Sequence, residues 1–163
     1  MLFDHFENMK WKTGSGDLID FKEVALIVSR RSDNGCKIFI GSDSFITNGL
    51  VCFSTAICLH GDDKGGRYFF TRIKEKTHHY KNLTSRITEE VRRSIELAEF
   101  LINYHDIEPE CLELHLDVSP FHSKNATAKL SEMLRGYVNG FGLECRLKPN
   151  AWASQSVADR HSK

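Results

Sequence analysis

Two apolar runs that each end on an aspartate constrain this chain most. The first is Lys37-Ile38-Phe39-Ile40-Gly41-Ser42-Asp43-Ser44 and the second is Leu112-Glu113-Leu114-His115-Leu116-Asp117-Val118-Ser119. Both read as strands, and both aspartates fall where a strand emerges from a sheet. An ionised carboxylate beside an apolar core is costly unless a cation, a donor or water compensates it. Two such carboxylates from distant parts of one chain point to a shared cation. Each also has a plainer role when read alone. Asp43 suits a turn in Gly-Ser-Asp-Ser. Asp117 continues a polar strand face with Glu113 and His115, alternating with Leu112, Leu114 and Leu116.

The rest of the pattern gives these runs a setting. Residues 1–19 show no clear periodicity. Asp20-Phe21-Lys22-Glu23 opens a helix, with Asp20 as N-cap and Glu23 placed to bond back, and Ser32-Asp33-Asn34-Gly35 ends it. A strand over 36–43 follows. Asn48-Gly49 marks a hairpin into a strand over 50–59, and a glycine-rich turn leads to a third over 67–73. A helix over 84–104 gathers Ile87, Val91, Ser94, Ile95, Ala98, Leu101 and Ile102 on one face. Then come a strand over 112–118, a helix over 124–138 ended by Asn139-Gly140, a strand over 144–147 and a helix over 151–161. The order from residue 36 is β-β-β-α-β-α-β-α. It predicts an α/β fold with a mixed five-stranded sheet, an antiparallel meander followed by helical crossovers. One domain, 1–163, is expected, with an extra N-terminal helix in an extension over 1–35 and the core over 36–163.

Composition narrows the function classes. Hydrophobic residues make up 40% and charged residues 27%, an ordinary globular balance. No apolar stretch reaches the roughly 20 residues that span a bilayer, so no membrane partner is expected. The first residues carry no basic leader followed by an apolar segment, so a secretory signal is not expected. The five cysteines form no C-x-x-C and are odd in number, which argues against a disulfide framework or zinc knuckle and for reduced thiols in a cytoplasmic protein. Lys plus Arg equals Asp plus Glu at 22 each. Any contact with a polyanion must therefore be a local patch.

The element order and the local motifs together resemble the ribonuclease H-like fold. Ile40-Gly41-Ser42-Asp43-Ser44, Leu114-His115-Leu116-Asp117-Val118-Ser119, Gly142 with Lys148-Pro149, and Ala158-Asp159-Arg160-His161-Ser162-Lys163 look like the YkuK-type family of small bacterial ribonuclease H-like proteins. The resemblance implies four carboxylates that hold two divalent ions, Mg2+ or Mn2+, about 4 Å apart for phosphodiester hydrolysis. Carried over, Asp43 is the first-strand ligand, bridging both ions. Asp117 is the fourth-strand ligand and Asp159 the last-helix ligand. The ligand on the first core helix is Glu89 or Glu90. Helical phase favours Glu90, which lies at the rim of the apolar face while Glu89 points away from it.

Cations near these motifs complete the expected site. Lys148, Lys124, Arg160 and His161 are candidates for contact with phosphate, with Arg146 as a further neighbour. His122 and His161 have the pKa range to move protons near a phosphate, and Trp152 and Phe121 the rings to stack on bases, although each also suits an ordinary surface or core position. The resemblance implies a nuclease acting on RNA, RNA–DNA hybrid or DNA. The alternative is a ribonuclease H-like domain that binds nucleic acid or protein without cleaving. A nucleotide-binding, kinase-like relative has no glycine-rich phosphate loop here to support it; Gly14-Ser15-Gly16 follows no predicted strand.

Overall fold

The computed structural model describes residues 4–118 and 128–162. The elements in chain order are α1 (Asp4–Asn8), β1 (Trp11–Thr13), β2 (Leu18–Ile19), α2 (Phe21–Asp33), β3 (Lys37–Thr47), β4 (Leu50–His60), β5 (Arg67–Lys76), α3 (Leu83–His105), β6 (Leu112–His115), α4 (Ala128–Gly140) and β7 (Glu144–Arg146). The chain closes with a π-helical stretch, Ala153–Ala158, that continues into α5 (Asp159–Ser162). The order from β3 onward is the one predicted, within an α/β architecture.

The sheet has seven strands, not five, in the order β2-β1-β5-β4-β3-β6-β7. The two additions come from the N-terminal extension. β1 and β2 are too short to show a period of two, so only their pairing reveals them. Trp11 anchors the addition: it is fully buried, and its indole donates to the Phe6 carbonyl at 3.0 Å. β1 pairs antiparallel with β5 through Trp11↔Thr71 and Lys12↔Phe70.

Alternation along β3 divides the two faces. Ile38 and Ile40 point into the larger core, where they meet Val24 and Val28 of α2, Val91 and Leu101 of α3, and Leu134 of α4. Phe39 points the other way, into a smaller core with Ala56, Cys58, Phe70, Ala153 and Ala158. Among the described residues, only the C-terminal helical segment contributes helix residues to that second core. The hairpin between β3 and β4 turns at Asn48 (φ 48°) and Gly49 (φ 76°), the positive angles a two-residue primed turn requires.

Three local expectations change. Asp20 occupies the N-cap of α2, but its side chain makes no capping hydrogen bond. β3 continues past Asp43 to Thr47 because β4 pairs with it along its whole length. β6 stops at His115, short of the predicted 118. Of the helix predicted over 124–138, positions 124–127 lie outside the described residues, and the described part runs to Gly140.

Candidate active site

The parallel pairing of β3 with β6 positions the first two carboxylates. Its last pair is Gly41↔His115. Asp43 and Asp117 each lie two residues beyond that pair, on neighbouring segments that have just parted. Asp43 is therefore not at a strand terminus, as the sequence implied, but at the point where β3 loses one of its two partners. It shares the Phe39 and Gly41 face.

Gly41 brings the C-terminal helix to Asp43. A Cβ at this position would lie 2.5 Å from the Ser154 amide nitrogen and 2.6 Å from the Ala153 carbonyl carbon, so only glycine lets the helix backbone sit this close. His115 fixes the same segment from β6. Its Nδ1 accepts from the Ala153 amide at 2.9 Å, and burial pushes its pKa down to about 4, which keeps the ring neutral as that acceptor role requires. Sequence reading placed His115 only on a polar strand face. Its anchoring role depends on a contact 38 residues away that no local pattern reports.

Once docked, the helix delivers two groups. The Asp159 side chain comes within hydrogen-bonding reach of Asp43. The Ser162 hydroxyl lies 3.0 Å from Asp43 Oδ2 and 3.0 Å from the Asp159 carbonyl, and its single proton serves one of them at a time. The π-helical stretch immediately precedes Asp159, and such widened turns often re-aim side chains at sites.

The fourth carboxylate comes from the opposite face. α3 is bound to β3 through Ser94 and Ser42, whose hydroxyls are 2.9 Å apart. One turn earlier, Glu90 is buried and accepts from the Ser44 hydroxyl at 2.7 Å. Its neighbour Glu89 is engaged elsewhere, with Arg92 at 2.6 Å and Arg93 at 2.9 Å. Burial pushes the Glu89 carboxyl up, but the two arginines outweigh it and hold the group below its usual range.

Asp43, Glu90, Asp117 and Asp159 thus converge from β3, α3, the segment after β6 and α5. Asp43 and Glu90 are each only 7% exposed. Burial pushes Asp43 up to about 7; Asp117 and Asp159 push in the same direction, and the Ser162 bond opposes them. Burial likewise pushes Glu90 up to about 8, reinforced by Asp43 and Asp117 and opposed by Ser44 and Arg86. Among the described residues, Lys148 brings a cation to the group, its Nζ 3.0 Å from Asp117 Oδ1.

All the donor atoms of this set are oxygen and two of its members are buried, a composition that would suit a hard divalent cation. Among the described residues, no group of three or more His, Cys, Asp or Glu side chains is placed to hold a metal ion as the side chains stand. A cation here would draw the carboxylates together and displace their protons.

The remaining candidates separate. His161 stacks on Phe70 with ring centroids 3.6 Å apart and planes within 8°, and its Nε2 lies 3.0 Å from the Tyr68 hydroxyl. Burial lowers its pKa, as do Arg160, Arg72 and Lys12. Arg160 is exposed beside it. Arg146 pairs with buried Glu113 and stays with that group. Trp152 is half-buried against Phe39 and His115, as a packing residue. Lys124, Phe121 and His122 lie outside the described residues. Sequence reading did not single out Ser44 or Ser162, since a serine acquires such a role only from the carboxylate it meets in the fold.

All five cysteines are free. Among the described residues, no helix is long and apolar enough to cross a membrane.

Comparison with known proteins agrees with this architecture. A family model described as "Ribonuclease H-like" matches residues 21–163. The "Uncharacterized protein YkuK" of Bacillus subtilis (strain 168) is 28% identical over 139 residues, covering 76% of this chain and 77% of that protein. No solved structure matches at a significant level. With most of its length inside the family model and four carboxylates meeting where β3 and β6 part, this chain belongs to the ribonuclease H-like family, of the YkuK type.

Proposed function

We propose that the protein is a divalent-metal-dependent nuclease that hydrolyses phosphodiester bonds in RNA, RNA–DNA hybrid or DNA. The observation that carries this reading is the convergence of Asp43, Glu90, Asp117 and Asp159 from four separate elements, with Asp43 and Glu90 buried and their proton affinity raised by neighbouring carboxylates. Asp43, Glu90, Asp117 and Asp159 would hold Mg2+ or Mn2+, which would supply an acidified water and charge neutralisation at the leaving oxygen. Asp43 is the central group, since it interacts with both Asp117 and Asp159 and also raises Glu90.

The chain's own residues supply orientation. Ser162 and Ser44 donate to Asp43 and Glu90 and fix which carboxylate oxygens remain available. Lys148, within reach of the site through Asp117, and Arg160 and His161, at the end of α5, bear on the phosphate of the bound strand. Lys124 is proposed for the same role on the family resemblance alone.

A second reading is favoured by one contact. Lys148 already neutralises Asp117 at 3.0 Å, as it would in a ribonuclease H-like domain that binds nucleic acid or protein without cleaving it. Hydrolysis separates the two. Labelled single-stranded RNA, hybrid duplex and single-stranded DNA are incubated with Mn2+, Mg2+ or EDTA, using wild type and Asp43→Asn. The nuclease reading expects metal-dependent cleavage of at least one substrate that Asp43→Asn abolishes. Cleavage of none, or equal cleavage by the variant, favours the binding domain.

A further inference from the structure

β5 carries Arg72, Lys74 and Lys76 at alternate positions, so the three share one side of the sheet. Strand register identifies the side. Arg72 pairs with Ser54, which pairs with Asp43. Lys74 continues in the same way through Cys52 to Phe45, and Lys76 through Leu50 to Thr47. The three cations therefore form a column on the Asp43 face, two strands from it, or about 9.5 Å.

Nothing described neutralises this column. All three residues are exposed. Glu75, which interrupts them in sequence, faces the other way and pairs with Arg93 of α3 at 2.6 Å. Among the described residues, none of the three has a carboxylate partner. In a chain whose formal charges cancel at 22 against 22, this is a local departure that the total conceals.

The surroundings suit an extended polyanion. Successive cations along the strand are about 6.7 Å apart, close to the repeat of an extended sugar–phosphate backbone. Lys12 of β1, opposite Phe70, and Arg160 prolong the positive face toward His161, whose lowered pKa reflects Arg160, Arg72 and Lys12. Phe45, in the Lys74 row, is an apolar ring left 40% exposed. Between Asp43 and Arg72, fully buried Ser54 carries a hydroxyl without a hydrogen-bond partner among the described residues.

We propose that Arg72, Lys74 and Lys76 form a phosphate-binding track that holds the backbone of a single nucleic-acid strand beside Asp43, with Phe45 as a stacking platform for an unpaired base. The track deepens the nuclease reading and takes the identity of its ligand from it. Binding, however, is measurable without cleavage.

The test is fluorescence anisotropy of a short labelled oligouridine strand, in EDTA, across a salt series. Each phosphate contact on a single strand contributes about 0.7 to the slope of log K against log salt. The triple variant Arg72→Gln/Lys74→Gln/Lys76→Gln is expected to lose about 2 from that slope, and Lys74→Gln alone about 0.7. Arg72→Lys, which keeps the charge, is expected to retain the slope. Phe45→Ala is expected to weaken binding with the slope unchanged. An unchanged slope in the triple variant, or no binding by wild type, overturns the track. Asp43-dependent hydrolysis with an unchanged slope overturns the track alone. A reduced slope without metal-dependent hydrolysis leaves the track standing and removes the nuclease.

Discussion

The Ser162 hydroxyl lies 3.0 Å from the Asp43 carboxylate, across 119 residues of chain. This contact joins the last turn of the chain to the strand at the centre of the site. It also opposes burial, which drives Asp43 toward its protonated form. Ser162→Ala removes that opposition. Loss of one hydrogen bond to a charged group is expected to cost about 1–3 kcal/mol of stability at pH 8, where Asp43 is mostly ionised. The acid limb of the pH–rate profile is expected to move to higher pH, whereas a purely structural loss would lower the rate evenly across the profile.

The raised carboxyls make stability depend on pH in an uncommon direction. Asp43 rises from 3.8 to about 7 and Glu90 from 4.5 to about 8. Between roughly pH 4 and pH 8 these two carboxyls hold more protons in the folded protein than in the unfolded chain. Below about pH 6.5 the lowered His115 and His161 act in the opposite direction. Stability should therefore fall as pH rises from about 6.5 to 8 and level off above it. Urea titrations in EDTA at about pH 6.5 and pH 8 check the sign, with the lower midpoint expected at pH 8. Saturating Mn2+ should reverse the order by stabilising the ionised carboxylates.

Asp43→Asn should separate stability from activity. It removes the charge that burial and two neighbouring carboxylates disfavour. In EDTA at pH 8 the variant is expected to be about 1–3 kcal/mol more stable than wild type, while metal-dependent cleavage is lost. Thermal melting and the hydrolysis assay, run on one preparation, report both effects.

Gly41→Ala tests the docking of the C-terminal helix. The new methyl would meet the Ser154 and Ala153 backbone at 2.5–2.6 Å, and backbone cannot swing aside as a side chain does. A loss of about 1–3 kcal/mol is expected, with earlier proteolysis of the segment after Pro149. If melting is unchanged, the close approach is not what places Asp159.

The two helix glutamates should diverge. Glu90→Gln is expected to abolish cleavage, since Glu90 faces Asp43 and Asp117. Glu89→Gln leaves the site and weakens ion pairs with Arg92 and Arg93 that are partly exposed; it is expected to cost under about 1 kcal/mol and to spare the rate. Steady-state kinetics on the two variants decide between them.

Those glutamates also mark how much was legible in the sequence. Their assignment followed from helical phase because α3 is long and strongly periodic, and β3, β4, β5 and the order of later elements followed from comparable patterns. β1 and β2 could not be read: three- and two-residue strands carry no period, and they exist because β5 offers an open edge. Asp43 was recognised by its cost but misplaced at a strand end, because partner exchange between β4 and β6 is a property of the sheet. Ser162 and His115 were hidden for a related reason, since each acts through a residue distant in sequence. The alternation Arg72-Lys74-Lys76 is, as spacing alone, one charged strand face among others. Its meaning required the register that sets it on the Asp43 face.

Calorimetric titration of Mn2+ into the protein at pH 8, with a phosphorothioate strand bound to prevent turnover, tests most directly whether the four carboxylates form a cation site. Saturable binding is expected for wild type, with proton release, and its loss in both Asp43→Asn and Glu90→Gln. No saturable binding by wild type, or binding unaltered by both substitutions, would contradict the assignment.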